Sequence, residues 1–278
     1  MRQSRWPWLH GVVILFMCAL MGCDRIQEPD RQTKNVGMSV PGCDSDCQNR
    51  IHLSRTKVAP IEANEVRYVL KIVQDEYSAN LWQARLKTCL DKWEYFERAQ
   101  RVTMYPAGLL AGKAYVEGAG CRFLRSGDGG YGPMQITSPT ARHVKDVATM
   151  LGLKASNVKW KEDYWHNVLL GAVMLSDFEN EFESRGVGIF AYNSGPGATR
   201  KYMRKANIKD FTGRTISDFR GAIPTGFSDG ARPRIYLDRV LAGAVLVQRA
   251  KNGQPTTGIK RLELHDIPGA VPVQDNVQ

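Results

Sequence analysis

The apolar residues of this 278-residue chain recur at helical rather than strand spacing, and that periodicity restricts the fold to a packing of helices. From Ile61 to about Arg98, the residues Val66, Val69, Leu70, Val73 and Tyr77, then Leu86, Leu90, Trp93 and Phe96, keep one face apolar. That pattern predicts two helices or one bent helix whose aromatic stripe packs in a core. A helix is predicted from about Ala107 to Glu117. Another, from about Asp163 to Phe182, has Val168, Ala172, Leu175, Phe178 and Phe182 on one side. "GVGIFAYNSGPG" reads as a short apolar helix stopped by "SGPG", and Arg232 to Ala250 as a last amphipathic helix. No series of alternating strands accompanies them, so the expected class is mainly α.

The first 22 residues read differently from the rest. Arg2 and Arg5 precede an uncharged, largely apolar run from Gly11 to Met21, the length of a signal peptide and short for a bilayer span. Leu20-Met21-Gly22-Cys23 resembles a bacterial lipoprotein cleavage box, which implies cleavage before Cys23 and lipidation of its thiol. The expected location is the cell envelope on the periplasmic side, lipid-anchored to the inner or outer membrane. Residues 23–59 are polar, with scattered Pro and Gly, and read as a flexible tether. Residues 60–105 form a helical extension, 106–250 the main domain, and 251–278 a loosely ordered C-terminal tail.

Of six cysteines, Cys18 leaves with the signal and Cys23 carries lipid. Cys43, Cys47, Cys89 and Cys121 remain, an even number in an oxidising compartment, which favours disulfides. The preferred pairing is Cys43–Cys47 with Cys89–Cys121, though spacing alone leaves three pairings open. A metal site on Cys43, Cys47 and His52 fits no strong zinc spacing, so neither metal nor other cofactor is expected. The formal charge of +10 stays positive without Arg2 and Arg5 and favours acidic partners. No aromatic–basic interleaving marks a nucleic-acid face, and none is expected to bind.

The stretch "YVEGAGCRFLRSGDGGYGPMQITSPTAR" places Glu117 ahead of a glycine-dense loop, with Ser126 nine residues on and Gly132-Pro133-Met134-Gln135-Ile136 after it. Thr140-Ala141 follows; Asn167 and Gly171 are four apart on a later helix; "AYNSGPG" spans Ala191 to Gly197; and Tyr236 lies in "RIYLDRV". These blocks, in this order, resemble the lytic transglycosylases of the soluble-enzyme type, within the lysozyme-like superfamily. The resemblance covers about Ala107 to Ala250. It implies a mainly α, formally α+β, lysozyme-like domain with a deep glycan cleft. Two departures stand out: Gly118 replaces the Ser that follows the family's catalytic Glu, and Pro133 replaces a Leu.

The resemblance further implies cleavage of the β-1,4 bond between N-acetylmuramic acid and N-acetylglucosamine in peptidoglycan, forming 1,6-anhydromuramic ends. Glu117 would protonate the leaving oxygen and then, as carboxylate, take the proton of the same sugar's 6-hydroxyl. One carboxylate suffices because the substrate supplies the nucleophile and its N-acetyl group shields the cationic centre. For this Glu117 must hold a proton near neutral pH, which burial beside Val116 and Phe190–Tyr192 would favour.

Substrate-binding roles are implied for Ser126, Met134, Gln135, Tyr192, Asn193 and Tyr236. Tyr192 is expected to hydrogen-bond near Glu117. Met134 reads equally as a core residue, and Tyr236 as packing. A goose-lysozyme-like hydrolysis would need a second carboxylate. Asp128 is the near candidate, but Asp-Gly is a common turn dipeptide and the turn reading is preferred. A non-catalytic peptidoglycan-binding component of an envelope-spanning complex is the other alternative. A secretion or conjugation complex is the protein partner such a tethered enzyme would serve.

Overall fold

The computed structural model describes residues 58–209, 216–223 and 233–270. The signal and lipid-box residues, including Cys23, and the pair Cys43 and Cys47 lie outside them. Among the described residues the only β pairing is isolated bridges, such as Arg125–Tyr131 and Tyr131–Ile136 in the loop after Glu117. The rest is helical, as the periodicity requires.

The predicted N-terminal stretch is three helices: α1, Glu65–Asp75; α2, Asn80–Asp91; and α3, Trp93–Thr103. Val69, Val73, Tyr77, Leu86, Trp93 and Phe96 of the apolar stripe are all buried. Next come α4, Ala107–Glu117; α5, Ala141–Leu151; α6, Tyr164–Phe182; and α7, Arg185–Ser194. After them lie α8, Pro196–Lys205; α9, Ile216–Ala222; and α10, Pro233–Lys251.

"SGPG" therefore ends one helix and starts the next, because Pro196 occupies the first turn of α8, where a missing N–H has no cost. Helix α5 has no counterpart in the periodicity reading. Its start is a reciprocal cap: Thr140 Oγ1 accepts the His143 N–H at 3.2 Å, and His143 Nδ1 accepts the Thr140 N–H at 3.3 Å.

Helix α4 is the axis of the core, and every residue from Ala107 to Tyr115 is buried. Its small residues let α10 press close. A Cβ on Gly112 would lie 2.4 Å from the Ala244 nitrogen, so only glycine permits this crossing. An α4 held on all sides fixes the position of the residue at its end, Glu117.

The expectation of a loose tail is corrected for residues 251–270. Ile259, Leu262 and Ile267 are buried, and the Gln74 amide donates to the Ile259 carbonyl at 2.9 Å. The Arg185 guanidinium also donates to the Gly269 carbonyl. The apolar residues are too sparse for a periodic signal, yet each meets a helix already assembled.

One charged cluster is interior. Arg220 of α9 bonds both oxygens of Asp238 on α10 and also Glu65 of α1. Burial pushes the Asp238 carboxyl from 3.8 up to about 6, with Arg220 opposing that rise and Glu65 adding to it. A raised folded-state value means the native state binds more protons between those values, so this group's contribution to stability falls as pH rises from 3.8 to about 6 and is flat above. The stability of the parent relative to Asp238→Asn should fall across that window by up to about 3 kcal/mol. Urea unfolding of both proteins at several pH values measures this, and a difference independent of pH would refute it.

Candidate active site

Glu117 ends α4, and the chain then coils back on itself. The N–H groups of Gly118 and Cys121 both donate to the Ala114 carbonyl, at 2.9 and 3.1 Å. Ala119, Gly120 and Cys121 all have left-handed backbone, with φ of 46°, 91° and 60°. Such a run of positive φ needs anchoring. It is supplied by a disulfide from Cys121 to Cys89 of α2, the pairing preferred from sequence. The same coil explains Gly118: a Cβ there would sit 2.8 Å from the Ala114 carbonyl oxygen and 3.0 Å from Pro133 Cα. Serine cannot occupy this position without moving backbone.

The glycine loop packs onto α6. Asn167 is fully buried and is used three times: its Oδ1 accepts the Met134 N–H at 3.0 Å, and its Nδ2 donates to the Tyr131 and Trp160 carbonyls, both at 2.9 Å. One turn on, Gly171 leaves space for Met134, whose Cγ would lie 2.7 Å from any Cβ added there. The Asn-x-x-x-Gly spacing is thus a receptor for the Met134 segment.

The Met134 side chain is fully buried in that seat. Of its two sequence readings, the core one describes its position. Its carbonyl does the local work, accepting hydrogen bonds from Lys113 Nζ and from the Tyr192 hydroxyl, both at 3.1 Å.

Lys113, one turn before Glu117 on α4, is the residue sequence reasoning missed. It is 1% exposed, its Nζ is 3.4 Å from Glu117 Oε1, and it lies 4.0 Å from the centre of the Tyr192 ring. A lysine in "AGLLAGKAYVE", where Glu117 is the one other charge and lies at i, i+4 spacing, was the available signal. Glu117 itself is 21% exposed. The environment expected from sequence was apolar; the structure adds a buried ammonium. Tyr192 bonds the Met134 carbonyl rather than Glu117 and reaches the carboxylate only through Lys113.

Tyr236, on α10, is buried. Burial, and next the Glu117 charge, hold its phenol well above the ordinary tyrosine range. Its hydroxyl lies beside the Glu117 carboxylate and interacts with it, though outside strict hydrogen-bond geometry. Burial and Glu117 likewise push the Tyr192 phenol well up. Both phenols are therefore neutral at ordinary pH, with Tyr236 beside the carboxylate and Tyr192 donating to the Met134 carbonyl.

Ser126, Gln135 and Asp128 belong to the loop's own architecture. Ser126 Oγ accepts the Gly130 N–H at 2.9 Å and donates to Asp128, and that bond holds the exposed Asp128 carboxyl below its usual range. The Gln135 amide donates to the Leu124 and Gly132 carbonyls at 3.1 and 2.8 Å. Asn193 is exposed at the end of α7. Glu117, Tyr192 and Tyr236 are brought together; Ser126 and Gln135 are tied into the loop. A cavity of about 370 Å³ borders Tyr68, Arg220 and Asp238, and another of about 260 Å³ borders Val73 and Ile259. Neither borders Glu117, and the side-chain cluster locates the site.

Residues 94–213 match the model of the family described as Transglycosylase SLT domain. Similar solved structures include two lytic transglycosylases. One is an inactive mutant of the lytic transglycosylase Slt from Pseudomonas aeruginosa, with 23% identity over 63% of this chain and 26% of that one, and a TM-score of 0.45. The other is the 70 kDa soluble lytic transglycosylase SLT70 from Escherichia coli, with 24% identity over 59% of this chain and 25% of that one, and a TM-score of 0.42. The chain thus matches about a quarter of the length of each. No curated protein sequence matches it. Lys113, Glu117 and Tyr192 all lie inside residues 94–213, the segment of this chain that matches the Transglycosylase SLT domain.

Proposed function

We infer that the protein is a peptidoglycan lytic transglycosylase that cuts the β-1,4 bond after N-acetylmuramic acid and closes the 6-hydroxyl onto the anomeric carbon. The observation that carries this reading is one carboxylate, Glu117, on the last turn of a buried helix inside the SLT segment, ringed by the neutral phenols of Tyr192 and Tyr236. Glu117 gives its proton to the leaving oxygen and then takes the proton of the 6-hydroxyl, so no water enters the product. The Tyr236 hydroxyl, beside the Glu117 carboxylate, is placed to follow the charge as it moves between carboxylate and sugar. Against hydrolysis stands Asp128, the second carboxylate such a route would use, which is bound to Ser126 in an exposed turn.

The substrate reading is glycan strands of peptidoglycan. Lipid attachment at Cys23, a place on the periplasmic side of a membrane, and service to a secretion or conjugation complex extend it from the sequence. Among the described residues no helix is long and apolar enough to cross a membrane.

Digestion of purified sacculi in ¹⁸O-labelled water tests the reaction. Mass spectrometry should find 1,6-anhydro ends and no label. Labelled reducing muramic ends would make the enzyme a hydrolase, and unchanged sacculi would leave a binding component.

A further inference from the structure

Lys113 has no part in the acid–base cycle as written, yet it is placed where that cycle needs a proton. It is buried among α4, α7 and the Met134 segment, and the groups that face it are few. Glu117 is on its own helix, the Tyr192 ring covers it from α7, and the Met134 carbonyl accepts from it. Tyr236 of α10 faces Glu117, and the Tyr77 phenol also feels the Glu117 charge. All three tyrosines are held neutral by burial. The charges at the centre of the site are therefore one ammonium and one carboxylate.

We propose that Lys113 is a positioning residue that lends its proton to Glu117 when a glycan covers the site. The inference rests on the transglycosylase reading above. Water reaches the pair only through the partly exposed Glu117. A bound sugar removes that water and disfavours two separated charges. Transfer of one proton from Lys113 Nζ to Glu117 Oε1 turns ammonium and carboxylate into amine and carboxylic acid, with no exchange with solvent. The acid then protonates the leaving oxygen and is regenerated as carboxylate, which takes the 6-hydroxyl proton. When product leaves and water returns, that proton goes back to Lys113. The proton count closes over one turnover.

Burial lowers the Lys113 pKa, with Glu117 opposing, which is the direction a lysine that gives up its proton requires. Activity then persists on the alkaline side until Lys113 loses that proton.

The test is the pH profile of muropeptide release from limiting sacculi, from about pH 5 to about pH 10, for the parent, Lys113→Met, Lys113→Arg and Glu117→Gln. Without Lys113 the acid must be charged from solvent. Lys113→Met should move the alkaline limb down by at least about one unit and lower release at neutral pH about tenfold or more. Arginine keeps the positive charge and cannot release a proton. Lys113→Arg should therefore follow Lys113→Met, whereas a cation that only holds Glu117 in place would be rescued by it. Lys113→Met is similar in size and lacks the charge that burial disfavours, so it serves if the arginine variant does not fold. Thermal unfolding checks each variant. A parental alkaline limb in Lys113→Met, or rescue by arginine, overturns the proposal while Glu117→Gln remains inactive. An active Glu117→Gln overturns the transglycosylase reading itself.

Discussion

Replacing Glu117 by glutamine is expected to lower glycan cleavage at least about 1000-fold. A positioned acid or base contributes roughly 100- to 10,000-fold, and here one group serves in both steps, so the loss lies toward the upper end. Glutamine matches the glutamate in size and can still accept a hydrogen bond, so the helix end and the coil after it keep their shape. The side chain is only 21% exposed, however, and its partner Lys113 is 1% exposed, so the substitution leaves a buried amine without its anion. Lys113 can shed its proton to remain buried, the neutral form being the one burial favours. The variant should therefore fold and still bind sacculi. Pelleting with sacculi and circular dichroism separate lost chemistry from lost structure. A folded variant that clears sacculi at the parental rate would remove Glu117 from the mechanism.

The second large effect is on stability. Replacing both Cys89 and Cys121 by alanine opens a loop closed across 32 residues of sequence. The chain-entropy account gives about 3–4 kcal/mol for a loop of this length, and thus a Tm lower by roughly 10 °C for a domain of this size. Both sulfurs belong to fully buried residues, so alanine also leaves unfilled space. The coil Ala119–Cys121 would lose the bond that holds its left-handed backbone, and the end of α4 with it. Cleavage should fall at a temperature where the variant is still folded. Thermal melts of the oxidised parent, the reduced parent and the double variant measure the first effect. A loss below about 1 kcal/mol would show that helix packing alone holds the coil.

Much of the fold follows from particular runs of sequence. The predicted helix Ala107–Glu117 has the observed bounds, and the ones at Asp163–Phe182 and Arg232–Ala250 differ by a residue at their ends. These helices carry long apolar faces, and periodicity speaks most clearly there. Helix α5 was missed because its start is a reciprocal cap between Thr140 and His143 rather than an apolar run. The break between α1, α2 and α3 was only half visible, since the single residue Lys92 caps both the end of α2 and the start of α3.

Local order along the chain determined the helices, the even cysteine count, and the succession of Glu117, glycine loop, Asn167 and "AYNSGPG" that points to glycan chemistry. Those features are written in residues near one another or in fixed sequence order. Tertiary packing alone decided that Met134 faces the core, that Ser126 serves a turn, that Gly118 has no room for a side chain, and that Lys113 lies under Glu117 against the Tyr192 ring. Burial and direction depend on which distant segments close over a residue, and helical spacing is silent on that until α6, α7 and α10 have met around α4.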